Sequence, residues 1–205
     1  MSHANCSTIN IYSSTTSPFA RKANMVVQLT GLGEHTQIIY TNPFEDASLR
    51  EINPLGKVPA LKHDELLLTD SYLICEYLDD KAANLNLYRK GQADYYQVQQ
   101  VHMLCNGILE AAVATVMEKR RTTEHSTYWL ERWDASISTA LNILDINQLG
   151  TADHPHIGTV ALIAALGYLD FRHPERNWRE HYPAIANWYS NFENLHWVAS
   201  TTPKA

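Results

Sequence analysis

A proline at position 59, between Val58 and a short apolar run ending at Leu61, restricts the fold of this chain more than any other single residue. Proline has no N–H to give to a sheet ladder, so it belongs at an edge, at the first position of a strand or in a turn. Its bond to the preceding residue goes cis at a cost of only about 0.5–1 kcal/mol, and Val58–Pro59 is expected to be cis. The surrounding segment, Asn53-Pro54-Leu55-Gly56-Lys57-Val58-Pro59-Ala60-Leu61, reads as a strand entry whose main chain at Val58 can pair with an extended peptide. After one more apolar run, Asp70 and Ser71 open a helical pattern. They set a carboxylate, a hydroxyl and free backbone N–H groups at one helix start. An ammonium group fits Asp70, and a carboxylate fits Ser71 with the helix N-terminus. Both residues are also ordinary helix caps. Lys57 is either a carboxylate partner or a solvated turn lysine.

Around this segment the periodicity passes from mixed to helical. Residues 9–12 form a β-branched and aromatic run, and from Ser17 the residues Phe19, Ala23, Val26, Val27 and Thr30 share one side of a helix that Gly31 and Gly33 end. Residues 37–40 read as a second strand, 45–52 as a short or irregular helix, and 58–61 with 66–68 as a hairpin. Leu73, Ile74, Tyr77 and Leu78 mark a further helix. The order βαβ then ββα is that of an α/β thioredoxin-like domain, a small mixed sheet with helices on both faces. Residues 84–89 lapse into a polar linker. Beyond it the apolar residues from Tyr95 to Met117 repeat at three and four, as do Leu130, Trp133, Ile137, Leu141 and Leu144. Residues 157–171 are apolar nearly all round and read as a buried central helix. Pro183 suits a first helical turn, with Ile185, Trp188, Tyr189 and Phe192 facing inward. A chain of 205 residues accommodates two such domains, placed here at 6–81 and, all-α, at 90–205.

The formal charge of -6 and the scatter of basic residues into small groups such as Lys119-Arg120-Arg121 argue against a nucleic-acid partner. The polar N-terminal stretch lacks a signal-peptide pattern, and the longest apolar run, 160–169, is too short to span a bilayer. A soluble cytoplasmic protein without a membrane partner is the expectation. Cys6, Cys75 and Cys105 form no CxxC pair, which suggests neither a disulfide framework nor a dithiol site. Among the histidines, Asp153-His154-Pro155-His156 most invites a metal. Two histidines flanking a proline present no fixed helical face, however, and no second cluster completes a ligand set. No metal is expected.

Ser17 followed by Pro18 is the ordinary grammar of a helix start. Arg21 and Lys22 then stand close to the first turn, where the helix dipole disfavours cations by a few tenths of a kcal/mol. A bound anion would offset that mismatch. A serine hydroxyl can accept a capping N–H and still donate its own proton outward. Ser13, Ser14, Thr15 and Thr16 offer rival hydroxyls in the same run.

Thr16-Ser17-Pro18-Phe19-Ala20-Arg21-Lys22, the 53–61 segment and Asp70-Ser71-Tyr72-Leu73-Ile74-Cys75-Glu76-Tyr77-Leu78 resemble, in order and spacing, the first domain of glutathione S-transferases. Gly167-Tyr168-Leu169-Asp170-Phe171-Arg172, followed by Trp178 and Trp188, resembles the C-terminal domain of a bacterial, YibF-like, serine-type branch of that family. The resemblance covers nearly the whole chain, about residues 8–203. It implies a cytosolic glutathione transferase architecture and glutathione as co-substrate. Ser17 would hydrogen-bond the thiolate, and Lys57, Val58, Pro59, Asp70 and Ser71 would hold the peptide, whose γ-glutamyl end carries an ammonium and a carboxylate. Phe19, Met103 and Met117 are candidates for an apolar acceptor pocket for a small electrophile, or are core residues, as apolar residues at helical spacing usually are. A detoxifying role and a homodimer are implied as well. The family usually carries a Ser or Thr cap with Asp three residues later at the central helix. His156 and Thr159 stand in those places, so that capping box is expected to be missing. Two other readings stay open: a non-catalytic glutathione-binding or protein-interaction module of the same fold, and a glutathione-dependent thiol-disulfide reductase or peroxidase. The last is weakened by serine at position 17, where such relatives carry cysteine.

Overall fold

Alternate positions of Ile9–Ser13 are buried, and this strand, β1, is the spine of a four-stranded mixed sheet. The computed structural model describes residues 7–83 and 85–204; Cys6, and Asn84 at the start of the expected linker, lie outside them. A helix, α1 (Pro18–Leu29), follows β1, and a 3-10 turn at Leu32–His35 leads into β2 (Thr36–Tyr40). A four-residue helix, α2 (Leu49–Ile52), precedes β3 (Ala60–His63), β4 (Leu66–Thr69) and α3 (Ser71–Lys81). The strand order is β2-β1-β3-β4, with β1 and β2 parallel and the other pairs antiparallel. This is the expected thioredoxin-like order. Ile9 and Ile11 of β1, Met25 and Val26 of α1, Leu61 of β3, and Ile74 and Leu78 of α3 are buried in its core.

Two local readings change. Helix is confined to Leu49–Ile52 rather than 45–52, because the Asp46 carboxylate accepts hydrogen bonds from the Thr41 hydroxyl at 2.6 Å and the Ser48 N–H at 3.0 Å. Such local side-chain bonds compete with helix formation. The hairpin begins at Ala60, not Val58. Pro59 cannot donate to the ladder, so pairing starts one residue later.

The second group of elements is helical throughout: α4 (Tyr95–Lys119), α5 (Thr127–Ile143), α6 (Ile157–Arg172), α7 (Trp178–His181), α8 (Pro183–Ser190) and α9 (His196–Ala199). α6 is buried from Ile157 to Leu169, as its all-round apolar pattern requires. It runs beside α4, where Gly158 leaves room for Val101: an added Cβ would meet the Val101 side chain at 2.8 Å. α4 is long and apolar enough to cross a membrane by length and composition alone. Its buried stripe, from Val98 to Val116, is instead taken up within this helical group, where α4 packs on α5 and α6.

The chain separates into two compact units, one reaching Asn86 and including the tail from Ser200, the other spanning Leu87–Ala199. Both ends of this division differ from the sequence expectation. Leu87 and Tyr88, read as linker, are buried, and the Leu87 carbonyl accepts the Ile157 N–H at 2.9 Å. The tail, read as the end of the helical domain, belongs to the sheet-containing unit.

Candidate functional site at one end of the sheet

The register brings three segments to one end of the first unit. Ala60 pairs with Tyr12 near the carboxyl end of β1 and with Thr69 at the carboxyl end of β4. The Ser14–Ser17 loop, the Lys57–Pro59 bend and the Asp70–Ser71 corner therefore share the sheet end to which β1, β2 and β4 deliver their carboxyl termini. That is the end at which open α/β sheets take their ligands. Beneath it, Ala20, Leu49 and Val58 form a small apolar cluster with Tyr12 packed against it.

Ser17 is the N-cap of α1, in extended backbone conformation (φ -81°, ψ 121°), and its Oγ accepts the Ala20 N–H at 3.2 Å. Its proton stays available for an acceptor outside the helix. The loop behind it is held loosely: Ser17 N–H to the Ser14 carbonyl at 3.4 Å, Thr16 N–H to Ser14 Oγ at 3.3 Å. Ser13 is not an equal rival. It is fully buried, and its Oγ accepts from Asn24 Nδ2 at 3.0 Å.

Val58–Pro59 is cis, as expected. Val58 is buried, yet no hydrogen bond joins its main chain to another described residue. Buried backbone groups are nearly always paired, so Val58 offers an N–H and a carbonyl to an added strand. The bend is braced from behind by Asn53, whose Nδ2 donates to the Lys57 carbonyl at 2.7 Å. The Lys57 side chain is exposed.

Asp70 caps α3, with Oδ1 accepting the Tyr72 N–H at 2.7 Å. Its φ of +71° is a conformation L-residues rarely adopt, and such outliers persist where a site needs them. The second carboxylate oxygen is left for a cation. Ser71, next in the chain, is buried at the first turn.

Arg21 and Lys22 do not present charge to this end of the sheet. Both are buried, and Arg21 Nε donates to Thr201 Oγ1 at 3.5 Å in the tail. The dipole argument for a bound anion at α1 therefore loses its premise. Sequence reasoning missed this use of the tail, whose 200–204 stretch has neither periodicity nor motif. Phe19 is half-buried in the first unit. Met103 and Met117 are partly exposed on α4, and Met103 lines a groove between α4 and α5. Among the described residues no group of histidine, cysteine and carboxylate side chains is placed to hold a metal ion.

Comparison with known proteins agrees in both units. A family model described as glutathione S-transferase, N-terminal domain, matches residues 11–86, and one described as glutathione S-transferase, C-terminal domain, matches residues 127–191. The chain is 27% identical to the uncharacterized GST-like protein YibF of Escherichia coli strain K12, over 95% of this chain and 98% of that protein. A glutathione transferase family member from Pseudomonas fluorescens Pf-5, solved with bound glutathione, superimposes with a TM-score of 0.91 at 31% identity, covering 97% of this chain and 100% of the other. A glutathione S-transferase from Methylobacillus flagellatus KT with glutathione bound gives 0.88 at 26% identity, over 96% and 100%.

Proposed function

This chain belongs to the glutathione S-transferase family, and from that footing we propose that it binds glutathione at the sheet end of its first unit and transfers the sulfur to an electrophilic carbon. The unpaired main chain of Val58 is the observation that carries this reading. It matches an extended peptide whose own N–H and carbonyl would complete the ladder. Asp70, with one oxygen already committed to its cap, takes the γ-glutamyl ammonium through the other. Ser71 and the first N–H groups of α3 take the neighbouring carboxylate. Lys57 stands at the same bend for a second carboxylate.

The chemistry asked of the protein is modest. A free thiol has a pKa of about 8.5, and lowering it by about two units needs roughly 2.7 kcal/mol of preferential thiolate stabilisation. One hydroxyl donor to an anion supplies about 1.5–3 kcal/mol, with the α1 N-terminus adding a few tenths or more. The thiol proton passes to solvent, the thiolate held by Ser17 attacks carbon to form the C–S bond, and the leaving group departs with its electron pair. Positioning does the rest.

A thiol-disulfide reductase needs a reactive cysteine. Cys75 and Cys105 are both buried. Burial pushes the Cys75 thiol up to about 12, a rise that Lys22 opposes and that Asp70 and Asp79 reinforce. The Cys75 thiol therefore stays protonated at neutral pH, and neither of these two described cysteines is exposed to a substrate disulfide. The same reading includes a cytoplasmic homodimer acting on small electrophiles. Calorimetric titration with glutathione tests the binding step, and conjugation of an aryl halide tests turnover. Binding without turnover would leave a glutathione-binding module; no binding would end the assignment.

A further inference from the structure

We infer that the tail, residues 200–204, is a strap that fixes the loop carrying Ser17, with Thr201 as its positioning residue; the inference deepens the transferase reading and rests on Ser17 as the thiolate donor. Two contacts carry it. The Lys204 N–H donates to the Thr15 carbonyl at 3.3 Å, two residues before Ser17. Thr201 Oγ1 accepts from Arg21 Nε at 3.5 Å, four residues after it. The Arg21 N–H in turn donates to the Ser17 carbonyl at 2.9 Å, the first hydrogen bond of α1. The tail thus holds the loop on both sides of the candidate hydroxyl, through one buried arginine and one backbone carbonyl.

The loop needs such a hold. Its own ties are long, 3.2 to 3.4 Å among Ser14, Thr16 and Ser17, and the two tail contacts, at 3.3 and 3.5 Å, are of the same kind, so the loop is fixed by their number and by their placement on both sides of Ser17 rather than by any single bond. Ser14, Thr15 and Thr16 crowd the run with further hydroxyls. Fixing the Thr15 carbonyl and the Arg21 side chain sets which oxygen faces the reacting sulfur. Displacement of a reacting or positioning group by about 1 Å can cost on the order of a hundredfold in rate. The covering strand of chain acts on the loop rather than on the glutathione peptide, so its loss should appear in turnover and not in binding.

Thr201→Val keeps the shape of the side chain and removes the acceptor, Thr201→Ser keeps the acceptor, and Lys204→Pro removes the N–H to Thr15. For Thr201→Val the expected outcome is a kcat about tenfold lower, with KM for glutathione within about twofold, since only the transition-state contact is disturbed. The acidic limb of its kcat/KM profile should move to higher pH, and the amides of Thr16, Ser17, Phe19 and Ala20 should exchange hydrogen faster in the absence of glutathione. Lys204→Pro should behave alike, and Thr201→Ser should restore the wild-type profile. Wild-type kcat, pH profile and exchange in both Thr201→Val and Lys204→Pro would overturn the strap. If the wild-type protein conjugates nothing, the transferase reading fails on its own and exchange decides: faster exchange confined to these four amides sustains the strap, and unchanged exchange removes it.

Discussion

Ser17 Oγ accepts the Ala20 N–H at 3.2 Å and has its own proton still to give, so a single oxygen can cap α1 and stabilise a thiolate. Ser17→Ala is therefore expected to leave glutathione affinity within about twofold, raise the bound-thiol pKa by about one to two units, and slow conjugation by roughly ten- to a hundredfold, the worth of one hydrogen bond to an anion. Ultraviolet titration of the bound thiolate and steady-state rates with an aryl halide check this. Unaltered rates would reduce Ser17 to a cap. Asp70→Ala should weaken glutathione binding by about tenfold or more, because a charge-assisted partner of the ammonium is lost; equal calorimetric affinities would remove Asp70 from the site. These residues were legible because capping is local: Ser before Pro, and Asp before Ser, mark helix starts without knowledge of the rest of the chain. The place of Arg21 is not legible for the opposite reason: its guanidinium meets Thr201, 180 residues away.

At the scale of an element, the entry to α6 reverses the expectation of a missing capping box. His156 Nδ1 accepts the Thr159 N–H at 3.2 Å, and Thr159 Oγ1 accepts the His156 N–H at 3.1 Å, so the box is present with an imidazole in place of a hydroxyl. The tautomer follows from Nε2, which faces the Gln148 carbonyl at 3.0 Å and must donate, leaving Nδ1 as acceptor. Thr159 Oγ1 also donates to the Leu149 carbonyl at 2.6 Å. Gly150 lies so close that a Cβ there would meet Thr159 Oγ1 at 2.5 Å, and its φ is +74°. The sequence showed the departure from the family pattern but not that histidine satisfies the same geometry. Replacing His156 by Ser and Thr159 by Asp thus has no missing box to restore, and would bury a carboxylate against the Leu149 carbonyl. Thr159→Val is expected to cost about 1–3 kcal/mol in denaturant unfolding, since a buried N–H and a buried carbonyl lose their partner. An unchanged midpoint would show the box to be dispensable. The box also titrates. Burial lowers the His156 pKa, opposed by the Gln148 hydrogen bond, with Arg89 lowering and Asp94 raising it less. Burial likewise lowers that of His173, against the Ala112 carbonyl and Glu175, while Lys119 and Arg176 reinforce the fall. With folded values below the unfolded value of about 6.5, the unfolded chain binds more protons in that window. Stability is therefore whole above about pH 6.5 and falls as pH drops through the lowered folded values. Protonated Nδ1 would face the Thr159 N–H with a second donor. Unfolding midpoints between pH 5 and 8 check the sign, and His156→Asn should flatten part of the slope.

Across the whole molecule, long periodic segments were legible and short aperiodic ones were not. The stripe of α4 and the all-round apolar pattern of α6 specify burial along their length, while of the α5 stripe only Ile137 and Leu141 are fully buried. Leu87 and Tyr88, by contrast, are two apolar residues in a polar stretch, and long-range contacts explain their place: the Ile157 N–H on the Leu87 carbonyl, Gln99 Nε2 on the Tyr88 carbonyl and the His102 ring edge-on to that of Tyr88. The tail gave no pattern at all. One further surface follows from the stripes: α4 and α5 leave Met103, Tyr128, Trp129 and Ile143 exposed. Grooves of about 670 and 500 Å³ run between these helices, and both are lined by Leu104, Ser136 and Ala140. Contiguous apolar surface rimmed by polar residues marks association sites, and the expected homodimer gives this one a use. Light scattering should then return about twice the 23.3 kDa chain mass. Ala140→Glu places a charge in the shared lining of both grooves, where burial against a second copy would cost several kcal/mol. It should shift the mass to that of a single chain while leaving the helical circular-dichroism signal intact. A wild-type mass of one chain at micromolar concentration would refute the homodimer, and an unshifted mass for Ala140→Glu would move the contact to another face. The glutathione site in the first unit stands on separate contacts, so Ala140→Glu tests association without touching Ser17, Val58 or Asp70.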